Sequence, residues 1–158
     1  SHNFKITPYT ELFLFLASRA QHVKEVIMPS IEKGEFVILD RYIDSSVAYQ
    51  GYGREIGENI VKKLNNYAIF GMNPDVTFIL DYPADKGIKR SLRRLDDEVS
   101  KEDRMERESL LFHNKIRKGY LELSKKEPKR IIIIDGSEGP IKIHKRIVKV
   151  IEKKFFNK

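Results

Sequence analysis

The 158-residue sequence contains no cysteine, which excludes disulfide bonds and thiolate metal sites and is compatible with a cytoplasmic location. It has no apolar run approaching the roughly 20 residues that a membrane-spanning helix needs, so we expect no membrane partner. The four histidines lack metal-ligand spacing, and no Ser-His-Asp or Glu-x-x-His pattern is present. We therefore interpret the histidines as structural.

Composition indicates a globular chain, because 41% of the residues are hydrophobic and 34% are charged. The length fits one domain over 1–158. Lysine and arginine total 30 against 23 for aspartate and glutamate, giving a net charge of +7. This excess favours anionic partners such as nucleotides, nucleic acid or acidic lipid, without choosing among them.

Helical and strand patterns alternate along the chain, and the strands are continuous apolar runs typical of buried parallel sheets. This alternation predicts an α/β fold, a doubly wound parallel sheet with flanking helices. The predicted helices cover 10–32, 58–70, 84–95, 104–125 and 141–156, and the predicted strands cover 35–40, 76–81 and 130–136.

Asp40 and Arg41 end the first predicted strand. Ligands of parallel α/β sheets bind at the carboxyl ends of strands, and this pair suits a metal-bound, phosphate-bearing substrate. We favour a functional role over a structural one, because charges at the end of a buried strand are costly unless paired or used. Asp81 and Asp135 also end strands, and we interpret each as a turn or helix-capping residue.

Two further sets of residues share a spacing of four. Phe15 and Arg19 lie on one face of the first helix and suit a planar base near a phosphate; the alternative is a core Phe beside a surface Arg. C-terminal to Arg41, a second set of four residues forms two pairs at this spacing, and their hydroxyl and amide groups could bind a base edge. The alternative is that the serines only cap a helix. The four residues are Ser45, Tyr49, Ser46 and Gln50.

Arginines surround the charged segment 96–103. Such runs are usually solvated surfaces held by neighbouring acids, but arginines on a closing segment can also stabilise transferring phosphates. The cluster comprises Arg90, Arg93, Arg94, Arg104 and Arg107.

Five segments, taken together and in order, resemble the thymidylate kinase family, from about Pro8 to Lys149. They are LFLASRAQH at 14–22, DRY at 40–42 with SSVAYQG at 45–51, PDVT at 74–77, DRME at 103–106 and GYLEL at 119–123. The resemblance implies a P-loop NTPase fold that transfers the γ-phosphate of ATP to thymidine monophosphate (dTMP) with Mg²⁺, giving dTDP for dTTP synthesis. It also implies a homodimer and a lid at about 90–107.

The resemblance also implies roles for individual residues. In the acceptor site, Phe15 would stack on thymine, Arg19 would hold the base and the monophosphate region, and Arg41 would clamp the acceptor phosphate. Ser45, Ser46 and Gln50 would lie against the base, and Tyr49 under the deoxyribose.

On the donor side, Asp40 would anchor Mg²⁺ through water. Arg90, Arg94 and Arg104 would meet ATP from the lid, and Gly136 and Ser137 would lie near the adenine.

One departure from the family is clear: no Gly-x-x-x-x-Gly-Lys-[Ser/Thr] segment occurs in the sequence. We therefore expect the family's first strand and phosphate loop to be absent from this chain. On that expectation, these 158 residues alone would bind dTMP weakly and would not turn over ATP.

Two other functions compete with this reading. A basic nucleic-acid-binding module would account for the charge and the arginine cluster, although acids are interleaved with the basic residues and no aromatic alternation accompanies them, so no nucleic-acid partner is expected. Another nucleoside monophosphate kinase would share much of the same chemistry.

Overall fold

A computed structural model describes residues 6–87 and 108–156. The chain divides into two compact units. The N-terminal unit comprises Ser1–Pro74 with Lys118–Tyr120, and the sheet unit comprises Asp75–Arg117 with Leu121–Lys158. The single domain expected from the length stays a prediction, and the predicted lid lies outside the described residues.

The first helix confirms the prediction over 10–32, with a start slightly earlier. Helix α1 (Pro8–His22) continues through a π-helical turn (Val23–Ile27) into α2 (Met28–Glu32). The helix begins where the Thr7 side chain accepts from the Thr10 N–H, with proline next to the cap. It ends at Lys33 and at Gly34, whose φ of +76° is the left-handed conformation that glycine adopts without strain.

Three further elements complete the described helical structure of the N-terminal unit: α3 (Ile43–Ser46), a π-helical turn (Val47–Gly53) and α4 (Glu58–Ala68). Helix α4 packs on α1 and on the π-helical turn. The apolar side chains on these facing surfaces are buried and form the core of the unit: Leu12, Leu16, Val23, Ile27, Val47, Ala48, Ile56, Val61, Ala68 and Ile69.

The sheet unit contains two described strands, β1 (Thr77–Asp81) and β2 (Ile131–Asp135). They pair in parallel, with Thr77 opposite Ile131 and Asp81 opposite Asp135, which confirms two of the three predicted strands. Helices α5 (Leu110–Lys126) and α6 (Pro140–Ile151) confirm two more predicted helices, and a π-helical turn (Glu152–Phe156) follows α6. Residues 84–87 are also helical. Within the described residues, no helix has the length and apolarity to cross a membrane.

The prediction of a buried strand over 35–40 is wrong. These residues are not part of the two-stranded sheet, and Phe36 and Ile38 are 66% and 91% exposed. An apolar run becomes a strand only when a neighbouring strand pairs with its backbone, and the described residues supply none there. Burial of both sheet faces is also not observed, since Leu80 and Ile133 are exposed.

Candidate functional site

The π-helical turn after α3 carries the predicted polar face. Ser46 and Gln50, one turn apart, are 3% and 2% exposed, so the face lies against the rest of the N-terminal unit. The capping alternative for the serines is wrong, because both lie inside α3, whose N-cap is Tyr42. π-helical turns are frequent at functional sites because they displace side chains from the regular helical register.

Arg19 is anchored by three groups of the N-terminal unit. Its guanidinium donates to Asn65 Oδ1 (2.5 Å), Ser46 Oγ (2.9 Å) and the Tyr42 carbonyl (3.2 Å). Asn65 is itself fixed, since it is 1% exposed and its Nδ2 donates to the Val61 carbonyl (3.1 Å). Burial lowers the pKa of Arg19 from its usual value, an effect that Tyr42 partly offsets. The surface-Arg alternative is therefore wrong.

Phe15 is 45% exposed, so the alternative of a core phenylalanine is also wrong. An exposed ring one helical turn before an anchored guanidinium is available for stacking on a planar ligand.

Arg41 is held in an unusual backbone conformation. Its φ is +67°, in the left-handed region that a non-glycine residue seldom adopts, and strain of this kind is often found at functional sites. Its guanidinium lies 4.7 Å from the centroid of the Tyr49 ring. Burial acts to lower the pKa of Arg41, but hydrogen bonding to Tyr49 and the nearby Tyr120 and Asp40 raise it overall. Arg41 therefore stays charged and, being solvent-exposed, can meet an anion.

Tyr120 belongs to the site although the spacing patterns did not single it out. Its hydroxyl lies 2.9 Å from Ser45 Oγ, and both residues belong to the N-terminal unit. Burial raises the pKa of Tyr120 to about 12, while the hydrogen bond to Ser45 acts in the opposite direction. Tyr120 lies in the GYLEL segment, which was a sequence signal for it. Its contact with Ser45 could not be predicted, because the two residues are 75 positions apart in the chain.

We expect Tyr120 to titrate later than an ordinary tyrosine. Because its folded-state pKa of about 12 exceeds the unfolded value of about 10, its contribution to stability is complete below pH ~10 and is lost as pH rises towards ~12. In a pH titration of tyrosinate absorbance, Tyr120→Phe should lack the phase with the highest pKa. Between pH ~10 and ~12, its free energy of unfolding should fall less than that of the parent chain. Tyr67→Phe, at a 71% exposed position, is the control, and an unchanged late phase in Tyr120→Phe would contradict the assignment.

The three strand-end carboxylates predicted from the sequence have different surroundings. Asp40 follows a stretch that has no regular secondary structure, and it is exposed. Asp81 is not the turn or capping residue that we predicted, because Arg117 Nε and Nη2 donate to its two oxygens at 2.7 and 2.8 Å. Asp135 is a turn residue as predicted, accepting from the backbone N–H and hydroxyl of Ser137 at 2.8 and 2.6 Å.

The buried Glu11 and the partly buried Arg54 form an ion pair that sequence spacing did not reveal. Glu11 is 4% exposed and accepts from Arg54 Nε and Nη2, both at 3.2 Å, and from Gln50 Nε2 at 2.9 Å. Arg54 lies 43 residues from Glu11 in the chain, so no local pattern predicted the pair.

Comparison with known proteins places the chain in a family. The family model described as thymidylate kinase matches residues 1–147. The chain belongs to the thymidylate kinase family. Membership implies a P-loop NTPase fold, with which the described parallel strands and helices agree.

Individual relatives support the same conclusion. The protein named thymidylate kinase from Kosmotoga olearia is 48% identical over 149 residues, which cover 94% of this chain and 69% of that protein. Its namesake from Thermoanaerobacter sp. (strain X514) is 46% identical over 152 residues, covering 96% and 71%. The one from Geobacter sulfurreducens is 44% identical over 138 residues, covering 87% and 65%.

The structure brings together most of the acceptor-side residues of the family pattern within the N-terminal unit. Arg19 donates to Ser46 and the Arg41 guanidinium lies 4.7 Å from the Tyr49 ring, so both contact the segment 43–53, which also carries Gln50. Gly136 and Ser137 lie in the sheet unit, and Gly136 N–H donates to the Asp81 carbonyl at 2.8 Å. Arg90, Arg94 and Arg104 lie outside the described residues.

Proposed function

We propose that the N-terminal unit is the dTMP-binding part of a thymidylate kinase, which transfers the γ-phosphate of ATP to dTMP and yields dTDP. The observation that carries this proposal is the pair of guanidinium groups placed along a single helical segment, 43–53. Arg19 contacts Ser46 at the start of that segment, and Arg41 lies over Tyr49 within it. Two fixed cations beside hydroxyl and amide groups suit a phosphate joined to a base.

Each acceptor-side residue has a role that its surroundings permit. Arg41 binds the acceptor phosphate, since it is charged, exposed and restrained by an aromatic ring. The exposed ring of Phe15 stacks on thymine, Arg19 holds the base and the monophosphate region, and the base lies against Ser45, Ser46 and Gln50. Tyr49 lies under the deoxyribose. Phosphoryl transfer depends mainly on positioning and charge stabilisation, which these residues supply for the acceptor.

Asp40 is the residue that we propose for Mg²⁺. No group of three or more possible ligands occurs among residues 6–87 and 108–156, but Mg²⁺ commonly retains several waters and uses one or two carboxylates together with substrate phosphates. An exposed carboxylate beside the phosphate-binding Arg41 fits that mode. When bound, the ion would neutralise charge on the phosphates.

The remaining parts of the proposal concern the donor and the assembly. Gly136 and Ser137 would lie near adenine, and Arg90, Arg94 and Arg104 would meet the ATP phosphates from a lid at about 90–107. The parallel pair β1–β2 supports a doubly wound sheet, and the lack of cysteine supports a cytoplasmic location.

Exposed apolar side chains on α1 support the proposed homodimer. Tyr9 and Phe13 are 48% and 53% exposed, and their ring centroids lie 6.3 Å apart. An aromatic patch of this kind on a helix surface is typical of protein interfaces. Light scattering over a range of concentrations tests it, and a monomer at all of them would refute the dimer.

Titration with nucleotides tests the proposed substrate. The chain should bind dTMP more tightly than thymidine, because only dTMP supplies the phosphate that Arg41 binds, and neither uridine nor guanosine monophosphate should displace it. Chemical-shift changes should appear at Arg19, Tyr49 and Gln50. Binding to DNA with a steep salt dependence and no response to dTMP would instead favour a nucleic-acid-binding module. ATP turnover by these 158 residues is measured in a separate assay. That the chain does not turn over ATP stays a prediction.

A further inference from the structure

The buried carboxylate of Glu11 controls the side chain of Gln50. At 4% exposure, an unpaired carboxylate would be costly, and Arg54 offsets that cost by donating to both of its oxygens. Glu11 thereby stays ionised and can only accept hydrogen bonds. Gln50 Nε2 donates to it at 2.9 Å.

This contact fixes the orientation of the Gln50 side-chain amide, that is, the positions of Oε1 and Nε2. If the amide turned over, its Oε1 would face an ionised carboxylate oxygen, placing two acceptors together in a buried site. The NH₂ group must therefore face Glu11. Because NH₂ has two protons, one of them remains after the bond to Glu11.

The opposite end of the amide has unused hydrogen-bonding capacity. Gln50 Oε1 accepts no hydrogen bond from the residues that the structure describes. Among the described residues, two fully buried side-chain atoms lack a hydrogen-bond partner, His113 Nε2 and Glu138 Oε2. Gln50 Oε1 is not one of them, so it is not fully enclosed. Oε1 therefore keeps an unused acceptor position, although Gln50 as a whole is only 2% exposed, one turn after Ser46, the partner of Arg19.

We propose that Glu11, held by Arg54, is a positioning residue that locks the Gln50 amide in the orientation that pairs with thymine and rejects cytosine. This inference rests on the proposed function, in which Gln50 contacts the base. Thymine offers an N3–H donor beside the O4 acceptor, which match Oε1 and the remaining N–H of Gln50. Cytosine offers the reverse pattern, an N3 acceptor beside an amino donor, and would need the amide turned over.

The matched ligands are dTMP and 5-methyl-dCMP, which share sugar, phosphate and methyl group and differ only at the base edge. The parent chain should bind dTMP about 10- to 100-fold more tightly, as expected for a bidentate base contact. In Glu11→Gln, the new amide can donate as well as accept, so Gln50 can take either orientation. The affinity ratio should then fall about tenfold or more towards unity.

Two further variants separate positioning from stability. Glu11→Gln with Arg54→Gln removes both charges of the buried pair and should lose selectivity in the same way. Glu58→Gln is the control, because Glu58 accepts from Tyr52 Oη (2.6 Å) and pairs with Lys62 (3.1 Å) in the same unit. It should keep the parent ratio. The ratio does not depend on the folded fraction, since partial unfolding weakens both ligands equally.

Each outcome is decisive. An unchanged ratio in both Glu11 variants, with only a lower melting temperature, would show that Glu11 is merely structural. If the parent chain does not prefer dTMP, the proposed function fails, and the inference fails with it. Should neither Glu11 variant fold, the parent chain still provides a test by NMR. One side-chain NH₂ proton of Gln50 must exchange slowly with solvent, and rapid exchange of both protons would overturn the lock.

Discussion

Replacing Arg41 by glycine is expected to remove most of the affinity for dTMP and, at the same time, to leave a more stable chain than replacement by alanine. In the proposed role, Arg41 donates charge-assisted hydrogen bonds to the acceptor phosphate, each worth roughly 1.5–3 kcal/mol. Both variants should therefore bind dTMP about 10- to 100-fold more weakly than the parent. Calorimetric titration measures this loss.

The difference between the two variants isolates backbone strain. At the Arg41 φ of +67°, alanine retains a steric penalty of about 1–2 kcal/mol that glycine does not have. Arg41→Gly should thus exceed Arg41→Ala in free energy of unfolding by about 1 kcal/mol. The control is the same pair at Lys33, whose φ of −82° is ordinary, where alanine should be the more stable variant. If the alanine variant is the more stable one at both positions, Arg41 does not adopt the left-handed conformation.

The second large effect concerns Gly119, which is buried inside α5. A Cβ atom at this position would lie 2.8 Å from Cδ2 and 2.9 Å from Cγ of the Tyr52 ring, closer than real Cβ atoms approach. Alanine is normally preferred to glycine in a helix by about 1 kcal/mol. Despite that preference, Gly119→Ala should destabilise the chain by about 1–3 kcal/mol, because the ring must move. Urea denaturation measures the change.

A double-mutant cycle identifies the cause. In a Tyr52→Ala background, Gly119→Ala should become neutral or stabilising, since the clashing ring is gone. Gly139→Ala serves as the comparison, because among the described residues no atom beyond its chain neighbours lies within 4 Å of the added Cβ. Gly119→Ala should also disturb the candidate site, because the next residue, Tyr120, contacts Ser45. A destabilisation that persists without the Tyr52 ring would rule out the clash as its source.

Local patterns were sufficient for the elements that depend on local sequence. The continuous helix from α1 to α2 follows from its apolar spacing and from Gly34, and β1 and β2 follow from short apolar runs between turn residues. The run at 36–39 has the same composition, but strand formation depends on a pairing neighbour, which no window of sequence reports. Its prediction failed for that reason.

The candidate site divides in the same way. The spacing of Ser46 and Gln50 correctly placed them on one helical face, because both lie on a continuous segment. Asn65, which holds Arg19, comes from a helix 46 residues away. Tyr120 and Arg54 also arrive through distant packing. Residues that touch a ligand can be proposed from a motif, whereas those that hold them in place require the folded backbone.

The π-helical turn at Val47–Gly53 makes the number of residues as important as their identity. Its wider turn is seen where Arg54 N–H donates to the Tyr49 carbonyl, five residues earlier, at 2.8 Å. Deleting one residue here would restore an ordinary α-helical turn and remove the displacement that the π-helical turn gives to the side chains within it. Gln50 would turn away from Glu11 even though no side chain had been altered. This segment should therefore tolerate substitutions far better than insertions or deletions, and grafting the site onto another scaffold would require its exact length.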